Sequence, residues 1–413
     1  MSVEVNLVGT RCGAKEGGLD CTYCYQGSLR RAEGNAAPEK VDLDAIKRTL
    51  DGYQGANGFN LFGGEPLLAP WDQIEEMFRF GLERFGQNGI QTSGRLIGEE
   101  HFKLFKKYKV HVGFSFDGPG DLNRPRWAGS PEATLEATAA TERSMKRCGE
   151  EGIRYSCITT LHRFNAAKDR LPTLLDWWPM MKEFGMTSAR LHVLEHDGPT
   201  KYLALSDEEN ENALWAHYEL ERDVLEGGVG FFDIFGDMKR LLEADDENAT
   251  CIWQACDPQN TQAVSGVGPT GERYLCERVH KEGINWSEAP KGPLVRQLGL
   301  AETDFDDGGC RGCRFLLLCK GNCPGTAIDG DWRNRSRDCG LWYSLFSRLE
   351  TEMREAGKEP ITDRDPAELA RMHSVMIRAW EMGIQMTLKR AANPWTVPVP
   401  GGWHADHADE VKR

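Results

Sequence analysis

Apolar residues alternate between two periods along the first half of the chain. Short apolar runs at Val3 to Val8, Gly58 to Phe62, Gly89 to Thr92, Val110 to Phe116, Arg154 to Leu161 and Ala189 to Leu194 read as buried strands. Between them, apolar positions spaced three and four apart predict helices over Val41 to Tyr53, Trp71 to Phe85, Glu99 to Lys107, Pro131 to Glu151 and Arg170 to Phe184. Strand followed by helix, repeated in this way, predicts an α/β fold with a parallel sheet whose sites lie at the C-terminal ends of the strands.

Two more helices, Ser206 to Leu225 and Ile234 to Ala244, lead into a stretch from Cys251 to Cys339 where periodicity fades and Cys and Gly accumulate. Helix returns from Ser344, with Met372, Met376, Trp380 and Ile384 at spacing four as an ordinary packing stripe, and the tail from Asn393 is rich in Pro and Gly. The expected division is an α/β unit over 1–205, a helical bridge over 206–245, a cysteine-rich domain over 246–343, and a helical extension and tail over 344–413.

Three cysteines change this picture. Cys12, Cys21 and Cys24 share one glycine-bearing loop directly after the first predicted strand. Three converging thiolates suit a soft metal centre, and on a four-iron cluster they would leave one iron open for a small molecule. A structural zinc loop is the other reading, but zinc sites usually close with a fourth nearby Cys or His, and residues 25–60 contain neither. After the second strand stands Phe62-Gly63-Gly64-Glu65-Pro66, where adjacent glycines permit close backbone approach and the Glu65 carboxylate can accept from an amine; a plain turn would also use these residues.

The 413 residues carry a net charge of −14, with 50 Lys and Arg against 64 Asp and Glu. That balance argues against a non-specific nucleic-acid or acidic-membrane binder, and a basic run such as Lys103 to Lys109 reads as a solvated helix face. The start MSVEVNLVGT lacks the pattern of a signal peptide, and no apolar run approaches the ~20 residues of a membrane span. A cytoplasmic protein is expected, and 13 cysteines in a reducing compartment point to metal ligation over disulfides.

The cysteine loop and the GGEP stretch together resemble the radical S-adenosylmethionine superfamily over roughly residues 3–200. The resemblance implies a partial (β/α)6 barrel, a 4Fe-4S cluster on Cys12, Cys21 and Cys24, and S-adenosylmethionine held at Gly63, Gly64 and Glu65. Tyr23 fills the aromatic position before the last cysteine. Thr92-Ser93-Gly94 is similar to the family's third-strand motif, and the stretch Ser115 to Pro119, with Ser115 and Asp117, to its ribose-contacting fourth-strand motif. The spacing departs from the family: C-x8-C-x2-C replaces C-x3-C-x2-C, and glycines 13, 17 and 18 would let the five extra residues bulge outward.

Farther along, Cys256, Cys276, Cys310, Cys313, Cys319, Cys323 and Cys339 resemble the SPASM extension with its two auxiliary 4Fe-4S clusters; Cys310 and Cys313 alone would also suit a zinc ribbon. By that resemblance Cys310, Cys313, Cys319 and Cys339 hold one cluster, and Cys256, Cys276 and Cys323 three corners of the other; residues 257–275 contain no cysteine, so either an iron stays open for substrate or Cys251 is the fourth ligand, which is the expectation because eight cysteines then fill two clusters. Cys148 and Cys157 read as core, His404 and His407 as an incidental pair, and Glu277, after Cys276, stands where sulfatase maturases place an aspartate base.

The resemblance implies an enzyme that cleaves S-adenosylmethionine reductively, with an electron donor such as flavodoxin or ferredoxin. The expected substrate is a ribosomally made precursor peptide, modified by crosslinking, thioether formation, epimerisation or backbone rearrangement. Because the first strand starts near Val3, a separate winged-helix leader-binding partner, or leader contact through the C-terminal extension, is expected. The alternatives are an anaerobic sulfatase maturase forming formylglycine and a non-catalytic iron-sulfur electron carrier.

Overall fold

The computed structural model describes residues 2–27, 30, 34–53, 56–195, 198–225, 230–261, 265–280 and 292–393. The Pro/Gly-rich tail with His404 and His407 lies outside them. The chain divides into two compact units, Met1–Phe235 with Val264–Ser287, and Gly236–Ala263 with Glu288–Arg413.

In the first unit six strands form in the expected order: β1 (Ser2–Asn6), β2 (Gly58–Phe62), β3 (Asn88–Thr92), β4 (Val110–Ser115), β5 (Tyr155–Leu161) and β6 (Met186–Val193). Each pairs in parallel with the next, which confirms the α/β barrel architecture. Two further strands, β7 (Ser265–Val267) and β8 (Arg273–Leu275), extend the sheet beyond β1, the first parallel to it and the second antiparallel. Residues 264–287, which composition places with the cysteine-rich domain, therefore belong to the first unit. Pairing of backbone groups recruits them where side-chain periodicity gives no sign.

The crossover helices are α1 (Leu43–Asp51), α2 (Trp71–Phe85), α3 (Glu99–Lys107), α4 (Pro131–Glu150) and α5 (Leu171–Glu183), followed by α6 (Asp207–Asp223). Their starts are written in cap chemistry. Asp42 accepts from Ala45 N–H, Ser130 from Ala133 N–H, and Ser206 closes a capping box with Glu209. Val3, Val5, Leu61, Ile90, Val112, Phe114 and Tyr155 are buried between sheet and helices, each contributing roughly 1.5–3 kcal/mol. Cys148 and Cys157 join this core, and burial pushes each thiol up to about 12, so both are neutral packing groups.

In the second unit α7 (Asp233–Leu242) leads into the cysteine-rich stretch, followed by α8 (Val295–Glu302), α9 (Cys339–Glu355) and α10 (Pro366–Glu381). Trp253 packs edge-on against Trp342 and Phe346, at 5.5 and 5.4 Å between centroids. Met372, Met376 and Trp380 are buried as the stripe predicts. Ile384 falls outside the helix: Gly383 turns left-handed at φ 71° and Ile384 N–H closes back on the Ala379 carbonyl. No described helix is long and apolar enough to cross a membrane.

Candidate active site

The expected cofactor residues gather at the C-terminal ends of β1 to β5. Cys12, Cys21 and Cys24 are near enough that the thiolate of Cys21 feels both others. Burial pushes the Cys21 thiol far up, with Arg126 opposing and the neighbouring cysteines adding to it. Such thiols ionise when a cation shares their charge. Among the described residues no group of three or more His, Cys, Asp or Glu closes tightly enough for a single ion. Three partly buried cysteines, with Cys21 next to the other two, form a donor set of the kind that holds an iron-sulfur centre.

The enlarged loop contains one 3-10 turn, Ala14–Glu16, capped by Gly17 in the left-handed region at φ 94°. Lys15 and Glu16 are exposed, so the insertion bulges outward as its glycines predict. Asp20 accepts from Ala14 N–H at 3.1 Å, and Arg95 donates to the Gly18 carbonyl at 2.7 Å. A Cβ on Gly18 would stand 2.9 Å from Cys12 Sγ, so only glycine fits beside that thiol.

Gly63 and Gly64 serve their own backbone. Gly64 N–H donates to the Gly9 carbonyl and Glu65 N–H to the Arg11 carbonyl, seating the GGEP stretch against the entry of the cysteine loop. A Cβ at Gly64 would meet the Arg11 carbonyl oxygen at 2.0 Å, and one at Gly63, where φ is 122°, would meet Asn6 Oδ1 at 2.4 Å. Glu65 is 2% exposed. Its Oε1 accepts from Thr92 Oγ1 (2.6 Å) and Leu67 N–H (3.2 Å), and its Oε2 from Ser93 Oγ (2.6 Å) and Ser93 N–H (2.9 Å). These neutral donors fix the carboxylate, and a buried anion so placed suits an ammonium ligand.

Asp117 is fully buried and anchors the opposite side. Arg126 (2.9 Å) and Thr160 N–H (3.0 Å) donate to Oδ1, and Tyr23 Oη donates to Oδ2, with His162 Nε2 at 3.2 Å. Burial alone would raise its pKa, but Arg126 and His162 outweigh that and hold the carboxyl well below its usual range. Tyr23, between Cys21 and Cys24, is thereby tied to the ends of β4 and β5. Ser115 accepts from Gln91 Nε2 at 2.8 Å. Arg126 and His162 escape sequence reading because no motif marks them: Arg126 lies in the two-residue strand Arg126–Trp127, which pairs antiparallel with Asp20–Cys21, and His162 directly follows β5.

The second unit brings together two cysteine sets. The thiolates of Cys251 and Cys323 act on Cys256, and those of Cys310, Cys339 and Cys313 on Cys319. Cys251 thus joins Cys256 and Cys323, where the cysteine count places it. Cys276 lies in the first unit, just after β8, and Glu277 begins the short helix Glu277–His280 beside it. Asn322, between Cys319 and Cys323, is buried, and its Nδ2 has no hydrogen-bond partner among the described residues. An orphaned donor next to these thiols fits a centre carrying acceptor sulfurs.

A family model described as the Radical SAM superfamily matches residues 14–168. A cysteine-type anaerobic sulfatase-maturating enzyme of Clostridium perfringens is 31% identical over 74% of this chain and 85% of its own length. A serine-type anaerobic sulfatase-maturating enzyme of Bacteroides thetaiotaomicron is 22% identical over 89% and 94%. Among solved structures, native anSMEcpe with bound AdoMet and Cp18Cys peptide superposes with a TM-score of 0.63 at 19% identity, covering 86% of this chain and 98% of that one.

Proposed function

The chain belongs to the radical S-adenosylmethionine superfamily and is a radical maturase with 4Fe-4S clusters and S-adenosylmethionine as cofactors, and from that premise we propose that it converts a Cys or Ser side chain of a polypeptide into formylglycine. One observation carries this reading: the likeness to the Clostridium enzyme covers 74% of the chain and is not confined to the barrel.

When bound, the reduced cluster and S-adenosylmethionine supply a 5'-deoxyadenosyl radical that abstracts hydrogen. The chain's residues do the rest. Cys12, Cys21 and Cys24 hold the cluster. Glu65, fixed by Thr92 and Ser93, orients the methionyl ammonium, with Gly63 and Gly64 bringing the backbone close. Ser115 and Asp117 shape the ribose side, and Tyr23 holds the loop to Asp117. Formylglycine formation removes from the substrate one hydrogen atom at Cβ, one proton and one electron. Glu277 takes the proton, while Cys251, Cys256 and Cys323, with Cys276 as the family resemblance assigns it, and Cys310, Cys313, Cys319 and Cys339 would hold iron-sulfur centres able to accept the electron. For a Cys substrate, water then supplies the aldehyde oxygen and sulfide departs. A cytoplasmic flavodoxin- or ferredoxin-type donor supplies the reducing electron.

Glu277 in place of Asp and a 257–275 segment without cysteine favour a second reading, a precursor-peptide maturase with a separate leader-binding partner. One assay separates them. Anaerobic incubation of the reconstituted enzyme with Cys-x-Pro-x-Arg and Ser-x-Pro-x-Arg peptides is expected to give a mass loss and an aldehyde that reacts with hydrazides, matched by 5'-deoxyadenosine. Formation of 5'-deoxyadenosine with both peptides left intact would replace the first reading by the second.

A further inference from the structure

Arg296, the second residue of α8, is fully buried. Its five N–H donors all end on backbone carbonyls. Nε donates to Trp332 (2.9 Å), Nη1 to Cys256 (3.3 Å) and Lys320 (3.4 Å), and Nη2 to Gly321 (2.9 Å) and Asn334 (3.1 Å). Among the described residues no carboxylate lies within ion-pair distance of the guanidinium. The other buried cation nearby, Lys320, is already matched to Asp246 at 2.9 Å. A buried charge without an opposite charge is costly, and its removal would ordinarily stabilise a core.

What surrounds the charge is the cysteine framework. The guanidinium donates to the carbonyl of Cys256, in one cysteine set, and to those of Lys320 and Gly321, which stand between Cys319 of the other set and Cys323. The chain between the sets is Cys319-Lys-Gly-Asn-Cys323, in which Lys320, Gly321 and Asn322 are all left-handed at φ 51°, 78° and 56°. Consecutive left-handed residues are disfavoured outside glycine, because Cβ crowds the following carbonyl oxygen. This turn is held because it presents the Lys320 and Gly321 carbonyls to one guanidinium. A Cβ on Gly321 would stand 3.1 Å from Arg296 Nη2 and 2.3 Å from Leu300 Cδ1.

We propose that Arg296 is the shared counter-charge and positioning residue of two auxiliary iron-sulfur centres, pinning the five-residue bridge between them and raising the reduction potential of both. Adding one electron makes each centre more negative, and a fixed buried cation favours that state. The inference rests on the reading of the second-unit cysteines as cluster ligands.

The test uses the full chain with Cys12, Cys21 and Cys24 replaced by Ala, reconstituted anaerobically, so that only the auxiliary centres carry iron. Iron and sulfide are counted, and reduction is followed by electron paramagnetic resonance in a potentiometric titration with dithionite. In Arg296→Met and Arg296→Gln the reduced-to-oxidised ratio at fixed potential is expected to fall at least tenfold, ~59 mV for a one-electron couple. Arg296→Lys, which keeps the charge, is expected to stay within about threefold of the parent. Neutral variants with full iron and an unchanged ratio would overturn the proposal. If the neutral variants lose iron, an iron-replete Arg296→Lys at the parental ratio sustains it, and an Arg296→Lys equally depleted reduces the role to geometry and overturns the charge. A parent that takes up zinc instead removes the cluster reading, and the inference with it.

Discussion

Asp117→Asn is expected to destabilise the first unit by about 3–5 kcal/mol, because it leaves the Arg126 guanidinium buried opposite a neutral amide. At ~2–4 °C per kcal/mol for a unit of this size, anaerobic thermal unfolding should fall by roughly 10 °C. The Asp117→Asn/Arg126→Met double variant removes the orphaned charge and is expected to regain part of that loss. The same variant has a pH signature. Since the folded-state pKa of Asp117 is depressed, its contribution is complete above the unfolded value of about 3.9 and is lost as pH falls through the folded value. The gap between wild type and Asp117→Asn should therefore be constant above about pH 5 and narrow below it. Four internal donors already satisfy this carboxylate. A ribose hydroxyl would have to displace one of them, and the Tyr23 hydroxyl, on the cysteine loop, is the one tied to cofactor binding. An Asp117→Asn protein of unaltered stability with weakened S-adenosylmethionine binding would make ribose contact its main role.

Gly64→Ala should have the largest effect on turnover. The new methyl would sit 2.0 Å from the Arg11 carbonyl, so either the GGEP backbone or the loop leading to Cys12 must shift. Displacing reacting groups by about 1 Å costs on the order of 10²-fold, and 5'-deoxyadenosine formation is expected to drop by at least that. Iron content should remain near wild type, since the three thiols are untouched. A change in the cluster's paramagnetic spectrum on adding S-adenosylmethionine, present in wild type and absent in the variant, would locate the defect in cofactor seating. Full activity would mean that the close approach of these two backbones is dispensable.

Much of this site can be read from the chain because its parts are local. Three cysteines within 13 residues, and two glycines before a glutamate at a strand end, announce themselves without tertiary knowledge. The strands and helices were legible for a similar reason: β2, α2 and α3 begin and end where the apolar period places them. Long-range contacts were not. Arg126 and His162 meet Asp117 only because β4 and β5 are neighbours. Arg296 takes its meaning from carbonyls 24 to 40 residues away, in a stretch with no period to read. The three-residue strands β7 and β8 are too short for alternation to show. Function followed the same division. The motifs pointed to radical chemistry through the family they resemble, while the proposal of formylglycine over crosslinking rests on likeness to the Clostridium enzyme over 74% of the chain.

We propose that the loop of Cys12, Cys21 and Cys24, seated on the GGEP backbone, is where S-adenosylmethionine is cleaved. The most direct measurement is iron and sulfide counting after anaerobic reconstitution, with 5'-deoxyadenosine assayed on adding dithionite and S-adenosylmethionine, in wild type and in the Cys12/Cys21/Cys24→Ala variant. The account predicts about twelve irons and product in wild type, and about eight irons and no product in the variant. Zinc in place of iron, or product surviving the triple substitution, would contradict it.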